Sequence, residues 1–141
     1  MNIGEIMSKN VVTCSLNEPL SQVAIKMQQE NIGMCPVVDN ERLVGVVTDR
    51  DITTRGVAMG VDINTITADS VMTPNPITGN SSMSFEDACH LMANNQIRRL
   101  PIVDNTNHLV GIVALADLAI DFEEEEMIAE TLEKISEPSH S

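Results

Sequence analysis

The feature that most constrains this chain is that it is written twice. Met7 and Met72 lie 65 positions apart, and the same spacing pairs Asn10 with Asn75, Thr13 with Thr78, Met27 with Met92, Pro36 with Pro101 and Asp39 with Asp104. One extra residue near Asn107 then raises the offset to 66, which pairs Leu43 with Leu109, Gly45 with Gly111 and Asp51 with Asp117. A correspondence that runs through every element is a tandem duplication, so one reading of the first half serves for the second.

That reading is β-α-β-β-α. Val11-Val12-Thr13 predicts a short strand, and Asn17-Glu18-Pro19 offers a helix start with proline in the first turn. Leu20, Val23, Ala24 and Met27 recur at helical spacing while Gln22, Lys26, Gln29 and Glu30 take the other face, the pattern of a helix covering a sheet. Pro36-Val37-Val38-Asp39 reads as a strand, Asn40-Glu41 as a turn and Leu43 to Thr48 as the returning strand, with a helix from Asp51. Residues 56–70, rich in Gly and Thr and without periodicity, read as the connection. The expected division is repeat 1 over residues 1–65, repeat 2 over 66–125, and an acidic helix and tail over 126–141. In the second repeat Phe85, Ala88, Cys89 and Met92 form the inner helix face, His90 reads as structural and His108 as turn surface. A last helix is expected from Asp117 through Glu123 to Glu126, continued by the apolar Met127, Ile128, Leu132 and Ile135. Its glutamates read as a solvated face, because consecutive helical residues cannot converge on one ion. Residues 137–141 read as a disordered tail.

The chemistry concentrates in Gly45-Val46-Val47-Thr48-Asp49-Arg50-Asp51. There an apolar strand gives way to a hydroxyl and two carboxylates at a helix start. Unpaired N–H groups at such a turn favour an anion, and a carboxylate beside it accepts hydrogen bonds from ligand hydroxyls such as those of a ribose. Thr48 and Asp49 acting only as helix caps is the alternative.

Composition narrows the partners. Eight basic against twenty-one acidic residues give a net charge of −13, which repels nucleic acid and anionic membranes, and with 1% aromatic residues there are no stacking platforms for exposed bases. Cys14, Cys35 and Cys89 lack metal-ligand spacing and lie in apolar patterns, so they read as reduced core thiols and suggest a cytoplasmic protein. No membrane span or signal peptide is legible. Nor is there a P-loop, a nucleophile beside a base, or a metal-ligand set, so the chain reads as non-catalytic and without a cofactor.

The sequence resembles the CBS-domain family, in which paired β-α-β-β-α repeats pack about a pseudo-twofold axis. The resemblance rests on Ile6-Met7 and Val71-Met72 before each first strand, Cys35-Pro36-Val37-Val38-Asp39 and Leu100-Pro101-Ile102-Val103-Asp104, and the two Gly-to-Asp stretches. It is similar to the stand-alone bacterial members. The resemblance implies an α/β fold with two clefts that take adenine nucleotides such as AMP, ADP or ATP, with S-adenosylmethionine as the alternative ligand. It also implies that Thr48 contacts phosphate and Asp51 ribose, that Arg98 and Arg99 contribute charge from the opposite repeat, and that Ile77 walls the base. In the second cleft Asp117 matches, but Ala114 replaces the hydroxyl, and Gly33 and Met34 stand where the arginines would be. The two clefts are therefore expected to bind unequally.

The residues themselves agree with this asymmetry. Two adjacent arginines in so acidic a chain are costly unless paired, and guanidinium binds phosphate bidentately. Pairing with surface carboxylates is the alternative. Arg50 and Arg55 are further candidates for the phosphates. The expected function is a regulatory nucleotide sensor acting through a homodimer on an effector protein that the sequence does not identify, against the alternative of a ligand-independent scaffold.

Overall fold

The computed structural model describes residues 2–116, 118 and 125–137. In the first repeat β1 (Cys14–Ser15), α1 (Leu20–Glu30), β2 (Met34–Asp39) and β3 (Arg42–Thr48) follow in order, and helix α2 (Asp49–Asp51) starts where β3 ends. The β-α-β-β-α order expected from sequence is the order found. Strand β1 pairs in parallel with β2, which requires the α1 crossover, and β2 pairs antiparallel with β3. Asn40 and Glu41 both take positive φ, 49° and 67°, which gives the two-residue hairpin turn whose twist matches its strands.

Three local expectations need correction. The first strand is Cys14–Ser15 and not Val11-Val12-Thr13. Pairing with Val37 and Val38 fixes its position, and that register outweighs the strand propensity of the two valines. The helix after β3 begins at Asp49 rather than Asp51. It continues as a π turn over Ile52–Gly56 and a 3-10 turn over Val57–Met59, so much of the expected connection is helical, as is α3 (Ala68–Val71). The hydroxyls of Thr53 and Thr54 bond back to the carbonyls of Asp49 and Arg50, at 3.1 and 2.8 Å, a competition with the main chain that accompanies the departure from α geometry.

The second repeat supplies β4 (Thr73–Pro74), α4 (Phe85–Asn95), β5 (Arg99–Val103), β6 (Leu109–Ala114) and α5 (Glu125–Ile135). Its internal geometry copies the first. Cys14 pairs in parallel with Val37, and their counterparts Gly79 and Ile102 form a parallel bridge. Of the helix expected from Asp117 through Glu126, Asp117 and residues 119–124 lie outside the described residues, and Glu125 and Glu126 open α5. Glu137, expected in the tail, donates its N–H to the Lys134 carbonyl at 3.3 Å, and residues 138–141 lie outside the described residues.

The chain divides into two compact units that are not coextensive with the repeats: one comprises Val12–Pro76 with Thr106–Leu109, the other Met1–Val11, Ile77–Asn105 and Val110–Ser141. Each repeat's opening segment belongs to the unit built on the other repeat. Thr73 of β4 pairs with Val46 of β3 in one unit, and Ser8 bridges Ile112 of β6 in the other. The glycine of each strand permits this. A Cβ on Gly45 would stand 2.6 Å from Met72 Sδ and 2.9 Å from the Thr73 carbonyl; on Gly111 it would stand 2.5 Å from Met7 Sδ and 3.0 Å from the Ser8 carbonyl. The duplicated Met and the duplicated Gly thus form one contact made twice.

Each unit has its own core. Leu20, Val23, Met27, Val37, Val47 and Val71 anchor the first, and Ile3, Met92, Leu100, Ile102 and Leu118 anchor the second. With fully buried aliphatic side chains each contributing about 1.5–3 kcal/mol, the scarcity of aromatic residues leaves no deficit.

Candidate functional site

Thr48 is the last residue of β3 and caps α2. Its Oγ1 accepts from the Asp51 N–H at 3.1 Å, and its own N–H donates to Asp51 Oδ2 at 3.0 Å, a reciprocal capping box. The pair that defines the candidate site is therefore also what starts the helix, and the capping partner of Thr48 is Asp51. The Thr73 hydroxyl lies 3.3 Å from both carboxylate oxygens of Asp51 and shares its one proton between them. Thr73 was missed from sequence. The signal was present, since a hydroxyl follows the methionine of each opening segment, as Ser8 and Thr73.

Asp51 is only 7% exposed, so a carboxylate stands almost inside the unit. Its nearest cation is Arg55, with Nε 4.0 Å from Oδ1. Arg55 is otherwise committed: Nη1 donates to the carbonyls of Met72 at 3.1 Å and Val71 at 3.5 Å. Those bonds hold the segment that carries Thr73, which makes Arg55 a brace for Asp51 and leaves little of its guanidinium for a ligand. Arg50 is exposed and makes no side-chain hydrogen bond or ion pair among the described residues.

The other candidates lie in the second unit. Arg98 is exposed and Arg99, first residue of β5, is half-buried. Among the described residues neither guanidinium has a hydrogen bond or an ion pair, so the alternative of pairing with surface carboxylates finds no support there. The Arg98 carbonyl accepts from the Leu115 N–H at 2.9 Å, as the carbonyl of its counterpart Gly33 accepts from Asp49 at 3.1 Å. Ile77 is 39% exposed, a large apolar side chain open to a partner surface. Ala114 closes β6 without a hydroxyl, and Asp117 lies outside the described residues.

The three cysteines are free and buried. The thiols of Cys14 and Cys35 both lie against the Pro36 carbonyl, at 3.7 and 3.9 Å, and the hydrogen bond with Cys35, together with burial, pushes the Cys14 thiol far above its ordinary range. Among the described residues no group of three His, Cys, Asp or Glu is placed to hold a metal ion, and no helix is long and apolar enough to cross a membrane.

Comparison with known proteins agrees with the doubled architecture. The CBS domain model matches residues 3–57 and again 68–124. The chain is 45% identical over 135 residues to the CBS domain-containing protein YhcV of Bacillus subtilis, covering 96% of this chain and 95% of that one. It is 35% identical over 116 residues to Hypoxic response protein 1 of Mycobacterium tuberculosis, covering 82% and 80%. A crystal structure of Hypoxic Response Protein I, which carries two coordinated zinc ions, superimposes with a TM-score of 0.79 at 33% identity over 86% of this chain and 99% of that one. The CBS domain pair of protein MJ0100, in complex with 5-methylthioadenosine and S-adenosyl-L-methionine, superimposes at 0.75 with 28% identity, covering 89% and 98%.

Proposed function

The chain belongs to the CBS domain family, and from that premise we propose that it is a non-catalytic sensor of adenine nucleotides of the AMP, ADP and ATP class. The observation that carries the reading is the pair Arg98 and Arg99, two guanidinium groups without partners among the described residues of a chain whose net charge is −13. Charge so placed has a purpose if the ligand brings phosphate.

In this reading Thr48 and the N–H groups at the start of α2 receive phosphate, supported by the dipole of the helical stretch from Asp49 to Met59. Asp51 accepts from the ribose hydroxyls. Thr48 and Thr73 bring it two protons between them, which leaves acceptor capacity for the ligand, chiefly on Oδ1. Arg98 and Arg99 complete the phosphate contacts, Arg50 adds exposed charge, and Ile77 covers the base. The counterpart of this site keeps Asp117 but has Ala114, Gly33 and Met34 in place of the hydroxyl and the arginines, so it binds more weakly. The domain limits 1–65, 66–125 and 126–141 belong to the same proposal.

One observation favours a second ligand of the same adenosine chemistry: the MJ0100 pair, 28% identical to this chain, holds 5-methylthioadenosine and S-adenosyl-L-methionine. Neither contains phosphate, so Arg98 and Arg99 discriminate between the two readings. The proposal extends to a homodimer whose packing responds to the ligand and alters an effector protein, supported by Val57 and Met59, which are 63% and 71% exposed at the end of the α2 stretch. It extends also to a cytoplasmic setting, supported by three free thiols.

Thermal unfolding against AMP, ADP, ATP and S-adenosylmethionine tests the reading, because a ligand that binds only the folded state raises Tm. The expected result is a rise with the phosphate-bearing ligands. No rise with any of the four at millimolar concentration would leave the ligand-independent scaffold.

A further inference from the structure

Where α1 meets β1 and β2, the two repeats differ in kind. The offset of 65 maps Cys14, Glu18, Lys26 and Cys35 onto Gly79, Met83, Leu91 and Leu100. In the second repeat those positions are apolar: a Cβ on Gly79 would stand 2.5 Å from Met83 Sδ and 3.0 Å from Leu100 Cδ2, and Met83 and Leu91 pack on the core of that unit. Packing at this place therefore needs no polar side chain. The first repeat puts two thiols, an ammonium and a carboxylate there.

The two thiols face one another. Cys14 of β1 and Cys35 of β2 are 2% and 0% exposed, and the Cys14 thiol donates to that of Cys35. Their other neighbours are main-chain oxygens: Cys14 Sγ lies 3.7 Å from the Pro36 carbonyl, and Cys35 Sγ lies 3.7 Å from that of Val12. Lys26 of α1 is fixed beside them, its Nζ donating to the Thr13 carbonyl at 2.8 Å and to Glu18 Oε1 at 3.1 Å. Its charge acts on both thiols in the sense that favours thiolate. Glu18 acts in the opposite sense, but its carboxylate is engaged by Lys26, with Oε2 also 3.0 Å from Nζ. The half-buried ion pair is the part of the cluster that solvent reaches, and the thiols are the part that it does not.

We propose that Cys14 and Cys35 form a two-coordinate site for a soft monovalent metal ion, copper(I), with Lys26 as its counter-charge. Thiolate is the soft ligand that copper(I) prefers, and one sulfur on either side satisfies it. Zinc(II) takes four ligands, and among the described residues no third His, Cys, Asp or Glu joins the pair to hold a metal. Binding exchanges the two thiol protons for one sulfur–metal bond each, with no change of oxidation state. The product carries one negative charge in a buried place, and a buried charge needs a partner. Lys26 supplies it, where the second repeat has Leu91.

The test is a titration of the reduced full chain, free of nucleotide and oxygen, with copper(I) supplied as its complex with bicinchoninate. The chain should withdraw one copper(I), X-ray absorption should show two sulfur neighbours, and Tm should rise. Cys14→Ala and Cys35→Leu should lower the affinity by more than the roughly tenfold to hundredfold that an outer-shell change costs, Lys26→Leu by about tenfold, and Cys89→Ala not at all. Leu stands at the matching place of the second repeat, so Cys35→Leu keeps a side chain that this packing accepts; Cys35→Ser, which keeps size and removes the soft donor, is the second variant should it fail to fold. No withdrawal of copper(I) would overturn the proposal, as would affinity unchanged in Cys14→Ala and Cys35→Ser. So would three or more ligands in the absorption spectrum, one ion shared by two chains, or displacement of copper(I) by an equal concentration of zinc(II).

Discussion

Asp51 carries two obligations at once, and they separate experimentally. As the partner of Thr48 in the capping box it stabilises the fold, so Asp51→Ala should lower stability by about 1–2 kcal/mol and Thr48→Ala by about 1 kcal/mol in urea unfolding. As a ligand group it should matter more, since each lost charged hydrogen bond costs about 1.5–3 kcal/mol of binding. Equal stability of Asp51→Ala and wild type would show that the box contributes nothing. Cys14 and Cys35 offer a second test, as one coupled pair: their hydrogen bond and burial raise the Cys14 thiol, and the same hydrogen bond lowers Cys35. Above the ordinary thiol range the folded pair keeps a proton that the unfolded chain releases, so stability falls as pH rises there. Urea unfolding at about pH 8 and about pH 10 should show the fall in wild type and a smaller one in the Cys14→Val/Cys35→Val double variant; identical falls would place the cause elsewhere.

Among the elements, the exchange of opening segments is the feature with the sharpest mechanical consequence. Gly45→Ala forces a Cβ against Met72 and the Thr73 carbonyl, and Gly111→Ala does the same against Met7 and the Ser8 carbonyl. Each should cost about 1–3 kcal/mol, and the two should match within that range because the contacts are copies. A neutral result at Gly45 would mean that Thr73 moves freely, and with it the bond to Asp51. This exchange was not legible in the sequence. The offset of 65 disclosed the repeats, the helices α1 and α4 and the β2–β3 hairpin, because periodicity and turn residues are local signals. Which repeat Ile3 to Ser8 would join depends on a long-range fit of Met7 to Gly111, and nothing within the segment announces it. The first strand was misplaced for the same reason: Val11 and Val12 have the propensity, but Cys14 and Ser15 have the partners. In the candidate site Thr48 and Asp51 were legible as a hydroxyl and a carboxylate at a strand end. Their mutual bond, and the part of Thr73, required coordinates.

For the whole molecule, the exposed Val57 and Met59 predict self-association. Sedimentation at micromolar concentration should give a dimer that Met59→Lys weakens, whereas a monomer throughout would remove dimer rearrangement as the route of signalling. Because a chain of net charge −13 must attract a phosphate locally through Arg98 and Arg99, nucleotide affinity should fall as salt is added.

The central claim is that adenine nucleotide is held by Thr48, Asp51, Arg98 and Arg99, and not by the site of Asp117. Titration calorimetry of AMP into wild type, the Arg98→Ala/Arg99→Ala double variant and Asp117→Ala tests it most directly. The account predicts one tighter site per chain, weakened on the order of a hundredfold in the double variant and nearly unchanged in Asp117→Ala. Affinity untouched by loss of both arginines, or abolished by Asp117→Ala alone, would contradict it.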